Sequence, residues 1–208
     1  AALAAVVKVN GTVAATHEGG FSAFRADITD LCREGNNEMT IEVSNEDTPS
    51  MYPASADFTF YGGLYRGVNL ISVPHTHFDL DYYGGSGIKV TPKPTEDGGA
   101  TFEIESFVTN QEDCFTVMYS IEDACGCEVA AAVRPADDTA VTIYAPDAKL
   151  WSMDEPNLYT VVARLQKNNE TYDEIHVNTG VRSYSVTPDG GFFINNKAVS
   201  LRGVSRHQ

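Results

Sequence analysis

Apolar and polar residues alternate with a period of two through most of the chain, and this pattern predicts strands. Met39-Thr40-Ile41-Glu42-Val43 and Thr101-Phe102-Glu103-Ile104-Glu105 show it most clearly. Each fits a strand with one face in a core and the other in solvent. Val6-Val7-Lys8-Val9 runs into Asn10-Gly11, a pair that tolerates the positive φ angles of a tight hairpin, and Thr12-Val13-Ala14-Ala15 is then the returning strand. Further strands are readable over 67–73, 88–90, 115–121, 139–144, 159–165 and 172–177, with a hairpin over 191–200. Only 28–33 reads as helical, a short turn capped by Asp27 or Thr29. The expected fold class is therefore all-β.

Glycine divides the chain. Tyr82-Tyr83-Gly84-Gly85-Ser86-Gly87 loosens the backbone just before a fresh strand at Ile88-Lys89-Val90. From there to about Arg182 the length and the six or seven short strands fit an immunoglobulin-like β-sandwich. The segment before the boundary is short for a complete sandwich, and the expectation is that it lacks strands from its beginning, with a sheet edge unpaired.

Totals narrow the function. The chain has 208 residues, 42% apolar and 21% charged, which suits a folded globular protein. No apolar run approaches the roughly 20 residues of a membrane helix. The apolar start lacks a basic flank and runs straight into Lys8-Val9-Asn10-Gly11, so it reads as a strand, not a signal peptide. Net charge is −15, which repels phosphate backbones and argues against a nucleic-acid partner while leaving neutral sugars unaffected.

Cys32, Cys114, Cys125 and Cys127 make no convincing framework. Cys125-Gly126-Cys127 is at most half of a metal site, and a disulfide from Cys114 to either of them on adjacent strands is an alternative. Free thiols in a reducing cytoplasm are the preferred reading. His75-Thr76-His77 on a strand would place both rings on one face, but without acidic or thiolate partners nearby a surface pair outweighs a metal site. His17 and His176 show no ligand spacing either.

Several segments, in order, resemble glycoside hydrolase family 2, the family of β-galactosidases, β-glucuronidases and β-mannosidases. Val9-Asn10-Gly11, His17-Glu18-Gly19-Gly20-Phe21-Ser22-Ala23-Phe24, Asp27-Ile28-Thr29-Asp30-Leu31 and 36–43 are similar to the later half of its N-terminal jelly roll. Asp57-Phe58-Thr59-Phe60-Tyr61-Gly62-Gly63-Leu64-Tyr65-Arg66-Gly67-Val68-Asn69-Leu70 is similar to that domain's most recognisable stretch. Leu150-Trp151-Ser152-Met153-Asp154-Glu155-Pro156-Asn157-Leu158-Tyr159-Thr160 resembles a signature of the immunoglobulin-like domain. Gly180-Val181-Arg182 and Arg202-Gly203-Val204-Ser205-Arg206-His207-Gln208 complete the series.

The resemblance implies a partial jelly-roll β-sandwich over 1–83, an immunoglobulin-like β-sandwich over 84–183, and over 184–208 a hairpin leading into a (β/α)8 catalytic barrel. It implies substrate contact by Asp57, whose other reading is a capping aspartate, and by Arg206 and His207 at the first barrel strand. Retaining hydrolysis needs two carboxylates about 5 Å apart, and in the family both glutamates lie on later barrel strands. The chain alone is thus expected to be inactive. The intact parent is expected to hydrolyse terminal β-galactosides, a preference suggested by the Arg-His-Gln ending. No cofactor is expected in this chain, and a divalent or monovalent cation is admitted only in the parent. The expected partner is carbohydrate, with neither nucleic acid nor membrane, in a homo-oligomer. The competing reading is a stand-alone carbohydrate-binding or structural module. For Arg66 a loop-pinning role is preferred over sugar contact, and for the lone Trp151 packing at a domain corner over sugar stacking.

Overall fold

The computed structural model describes residues 3–46, 59 and 61–206, in two compact units, Ala1–Ser72 and Val73–Gln208. The first is built on strands β1 (Ala4–Val9), β2 (Thr12–Glu18) and β3 (Met39–Ser44), in the antiparallel order β2-β1-β3. Burial alternates residue by residue along β1, placing Ala5, Val7 and Val9 in the core. Val9 pairs with Thr12 across a two-residue Asn10-Gly11 loop whose φ angles are +50° and +82°, the left-handed pair the sequence called for. Asn10 also donates from Nδ2 to the Leu31 carbonyl (2.9 Å) and accepts from the Glu38 amide (3.1 Å), tying the hairpin to the following loop. The expected helical segment is one 3-10 turn, Thr29–Leu31, with Asp27 accepting from the Thr29 amide at 2.9 Å.

In the second unit the strands are β4 (His77–Phe78), β5 (Ile88–Pro94), β6 (Ala100–Ser106), β7 (Val108–Thr109), β8 (Thr116–Glu122), β9 (Glu128–Pro135), β10 (Ala140–Ala145), β11 (Tyr159–Lys167), β12 (Glu170–Thr179), β13 (Tyr184–Thr187), β14 (Gly191–Ile194) and β15 (Lys197–Val199). A three-stranded sheet β10-β6-β5 and a four-stranded sheet β12-β11-β8-β9 enclose one core, in which Phe102, Ile104, Val117, Tyr119, Ile121, Val161, Ala163 and Leu165 are buried. All ladders are antiparallel, the arrangement of an immunoglobulin-like sandwich. One polar bond lies inside it. Ser106 Oγ and Tyr119 Oη sit 2.6 Å apart with both side chains buried, so neither hydroxyl is left without a partner. Burial pushes the Tyr119 phenol above its ordinary value, although the bond to Ser106 acts the other way. Tyr159, at the start of β11, accepts from the Lys149 amide at 2.8 Å, a tie of the kind that closes sandwich corners.

Two sequence expectations change. Residues 67–73 form no strand, and Val68, Leu70 and Ile71 stay more than half exposed. A strand needs a ladder partner, and none of the described residues supplies one. The alternative Cys114 disulfide is also overturned. Cys114 precedes β8 and Cys125 and Cys127 follow it, about 20 Å away at roughly 3.3 Å per residue, whereas a bridge holds its Cα atoms within about 7 Å. All four cysteines are free and exposed.

Candidate functional site

Of the expected substrate contacts, Asp57 and His207 lie outside the described residues. Arg206 is exposed in chain without regular structure. The geometry that can be read at this end belongs to the segments around them.

In the first unit the loop 61–66 is held down locally. Gly63 takes φ +97°, and a Cβ on Gly62 would meet Asn45 at 3.2 Å, so both glycines are there for the backbone path. Tyr65 donates its hydroxyl to the Gly20 carbonyl (2.8 Å), and Arg66 donates from Nη1 to the Phe21 carbonyl (3.2 Å). Arg66 therefore pins this loop to the 19–24 segment, as preferred from sequence. His17 stacks on Phe24 with ring centroids 4.4 Å apart, which gives that histidine a packing role within the same segment.

In the second unit the junction between the sandwich and the hairpin β13-β14-β15 is built on Trp151. Its amide donates to the Val181 carbonyl (2.8 Å), and it bridges to Pro156. The Arg182 guanidinium lies 4.8 Å from its ring centroid. A Cβ on Gly180 would come within 2.9 Å of the Trp151 Cβ, so glycine is required there. Asn195 completes the corner. It donates from Nδ2 to the Trp151 carbonyl (2.9 Å) and accepts from the Ser183 amide (3.0 Å), while its own amide donates to the Ser183 carbonyl (2.9 Å). Trp151 is half-buried with the Arg182 guanidinium over its ring, so it packs at a corner, as preferred from sequence.

Asn195 stands at φ +48°, where asparagine is better tolerated than most residues. Asn195→Ala removes both side-chain bonds and adds backbone strain. The expected loss is about 1–3 kcal/mol, concentrated at the hairpin. Hydrogen exchange checks it: the Ser183 and Ile194 amides should exchange faster while those of β8 and β11 keep their protection.

An exposed aromatic group was missed from sequence because its glycines read only as a flexible boundary. Tyr82 stacks on Phe107 (4.4 Å, 22°), and Tyr83 meets Tyr82 edge-on (5.1 Å, 83°). The Gly85 amide donates to the Tyr82 carbonyl, closing a turn in which Tyr83 and Gly84 both have positive φ (+46° and +68°). Tyr83 is 95% exposed. The adjacent tyrosines ahead of a glycine pair were the available signal.

Several acidic residues of the second unit are paired with cations. Glu103 and Glu105 lie on one face of β6, bonded to Lys93 and Lys89 at 2.6 and 2.5 Å, each about half exposed. On the β11–β12 face Glu174 accepts from His176 and Arg164, in that order of influence, which holds its carboxyl below the ordinary value. Its contribution to stability is present above its unfolded value and lost as pH falls. It is a small contribution, because the pair is solvent-screened. His77 turns Nδ1 back to the Pro74 and His75 carbonyls at 2.9 and 3.1 Å, a local tie and not a metal ligand. Among the described residues no three His, Cys, Asp or Glu side chains converge as a metal would require.

Comparison with known proteins accounts for this combination. Residues 3–74 match the sugar binding domain of Glycosyl hydrolases family 2, and residues 86–182 match a second domain described as Glycosyl hydrolases family 2. A beta-galactosidase of Thermoanaerobacter pseudethanolicus is 30% identical over 98% of the chain, and a beta-glucuronidase of Bacteroides fragilis is 28% identical over 92%. The chain spans 28% and 29% of those two relatives. The crystal structure of an FMN-binding beta-glucuronidase from Facaelibacterium prausnitzii L2-6 superimposes with a TM-score of 0.95 and 82% identity over the whole chain, which spans 32% of it. Two consecutive all-β domains in the order the sequence motifs imply, each matched to the same family, establish that the chain belongs to glycosyl hydrolase family 2.

Proposed function

We propose that this chain is the non-catalytic N-terminal portion of a retaining β-glycosidase and that the intact parent acts on terminal β-glucuronides. One observation carries the sugar assignment: 82% identity, without a gap in coverage, to a beta-glucuronidase. The β-galactoside expected from the Arg-His-Gln ending is the second reading, favoured by relatives named beta-galactosidase at 27–31% identity.

Within that reading the two domains brace the barrel. Asp57, Arg206 and His207 are the proposed substrate contacts: the carboxylate accepts from two adjacent sugar hydroxyls, and the cationic and imidazole groups face the pocket. The paired carboxylates come from the rest of the parent, one attacking the anomeric carbon and the other protonating the leaving oxygen and then activating water.

The test uses the full-length protein with nitrophenyl β-glucuronide and nitrophenyl β-galactoside. Glucuronide should be preferred in kcat/KM by more than about tenfold, and Asp57→Ala should lower that value by roughly tenfold to a hundredfold through a lost charged hydrogen bond. A preference for galactoside would replace the first reading with the second, and an unaffected D57A would remove Asp57 from the pocket. A stand-alone sugar-binding role has one supporting observation, the exposed Tyr83 ring. It predicts a galactoside-dependent change in tyrosine fluorescence of the isolated chain that Tyr83→Ala abolishes.

A further inference from the structure

The tip of the β8–β9 hairpin carries two cysteines around a single glycine, and family membership gives them no task. The loop is a type I turn followed by a left-handed residue. The Gly126 amide donates to the Asp123 carbonyl (2.9 Å), the Asp123 amide donates to the Cys127 carbonyl (2.9 Å), and Gly126 has φ +78°. One oxygen organises both cysteines. Asp123 Oδ1 accepts from the Cys125 amide at 2.8 Å and from the Cys127 amide at 2.9 Å. Two amides two residues apart that share an acceptor cannot belong to an extended segment, so the backbone between the thiols is folded back on itself. That folding brings the Cα atoms toward the separation a disulfide tolerates. Both side chains are exposed, and neither packs into the core. Within the same unit, Cys114 sits beyond the far end of β8 and is not a neighbour of this turn.

We propose that Cys125 and Cys127 form a reversible dithiol–disulfide couple at the hairpin tip, oxidised by low-molecular-weight disulfides of the glutathione class. The Cys125 or Cys127 thiolate attacks one sulfur of the small disulfide, a mixed disulfide forms, and one small thiol leaves with its electron pair. The second cysteine, as thiolate, then attacks the protein sulfur of the mixed disulfide. The Cys125–Cys127 bond forms and the second small thiol departs. Two protein thiols are oxidised, one small disulfide is reduced to two thiols, and the two protons lost by the protein thiols end on the two departing small thiols. The ring closed over one intervening residue is strained, and the bridge is exposed. Both features place it among labile bonds that excess thiol reopens, not among structural ones. Asp123 is the positioning residue, since it alone gathers both amides.

The chain, reduced and then freed of reductant, is incubated with excess oxidised glutathione, quenched with acid and mapped by mass spectrometry. The peptide spanning the turn should be two hydrogens lighter and carry no glutathione, while Cys32 and Cys114 carry adducts, and dithiothreitol should restore the original mass. In Cys125→Ser and in Cys127→Ser the remaining turn cysteine should instead accumulate a glutathione adduct. Asp123→Ala should slow ring closure relative to adduct formation, which separates positioning from simple exposure. A wild-type turn that accumulates stable glutathione adducts, or that keeps both thiols unmodified while Cys32 and Cys114 react, overturns the proposal. So does a bridge from either turn cysteine to Cys32 or Cys114. The outcome does not depend on which sugar the parent hydrolyses.

Discussion

Phe102→Ala is expected to destabilise the second unit by about 3–5 kcal/mol, the range for removing a buried aromatic ring. Phe102 is fully buried on β6 and meets Tyr159 of β11 edge-on at 5.7 Å, so it fills the space between the two sheets at the level of the Tyr159 corner. Truncation removes the ring from an interior packed like a solid, and flanking Ile104 and Ile143, fixed on strands by their ladders, cannot collapse into the cavity. The loss compares with the whole stability of an ordinary domain. Thermal unfolding should fall by roughly 10 °C or more, with a cooperative transition retained or lost altogether. A shift of only a degree or two would mean that the sheets do not enclose Phe102.

Gly87→Ala is the second large effect, and its cause differs. The residue has φ +76°, and an added Cβ would lie 2.6 Å from the Asp79 carbonyl oxygen and 2.7 Å from the Asp79 amide nitrogen. Those atoms are backbone and are themselves held. The Asp79 amide donates to the Phe107 carbonyl and the Phe107 amide donates to the Gly87 carbonyl, both at 2.9 Å, so one residue clamps both sides of the 79–87 loop. Left-handed strain costs about 1–2 kcal/mol, and the forced backbone shift adds about 1–3 kcal/mol. Gly98→Ala is the matched control. Gly98 has φ +90° with open space around the site, so it should show the strain without the collision. Denaturant unfolding of the two variants should differ by about the second contribution. Equal losses would show that the Asp79 backbone yields easily.

Most of the architecture was legible because strand alternation is a local signal. β1, β3 and β6 begin or end within a residue or two of the alternating runs, and the Asn10-Gly11 turn has the residues its φ angles demand. The strand β9 was missed because Glu128-Val129-Ala130-Ala131-Ala132-Val133 is rich in alanine, a poor strand former. It is an edge strand, made by pairing with β8 and not by its own composition. The opposite error arose at 67–73, where β-branched and apolar residues suit a strand that has no neighbour among the described residues. Ladder partners are non-local, and no window of sequence contains them. The corner around Trp151 was readable as packing from its flanking Leu150, Pro156 and Tyr159. Asn195, which binds it from 44 residues away, was not. The proposed substrate contacts were named only by resemblance.

The central claim is that these sandwiches support catalysis without performing it. Purified chain should be incubated with nitrophenyl β-glucuronide and nitrophenyl β-galactoside beside the full-length protein at equal molarity. The account predicts nitrophenol release by the full-length protein and none above the buffer rate from the chain. Release that rises in proportion to the amount of purified chain would contradict it.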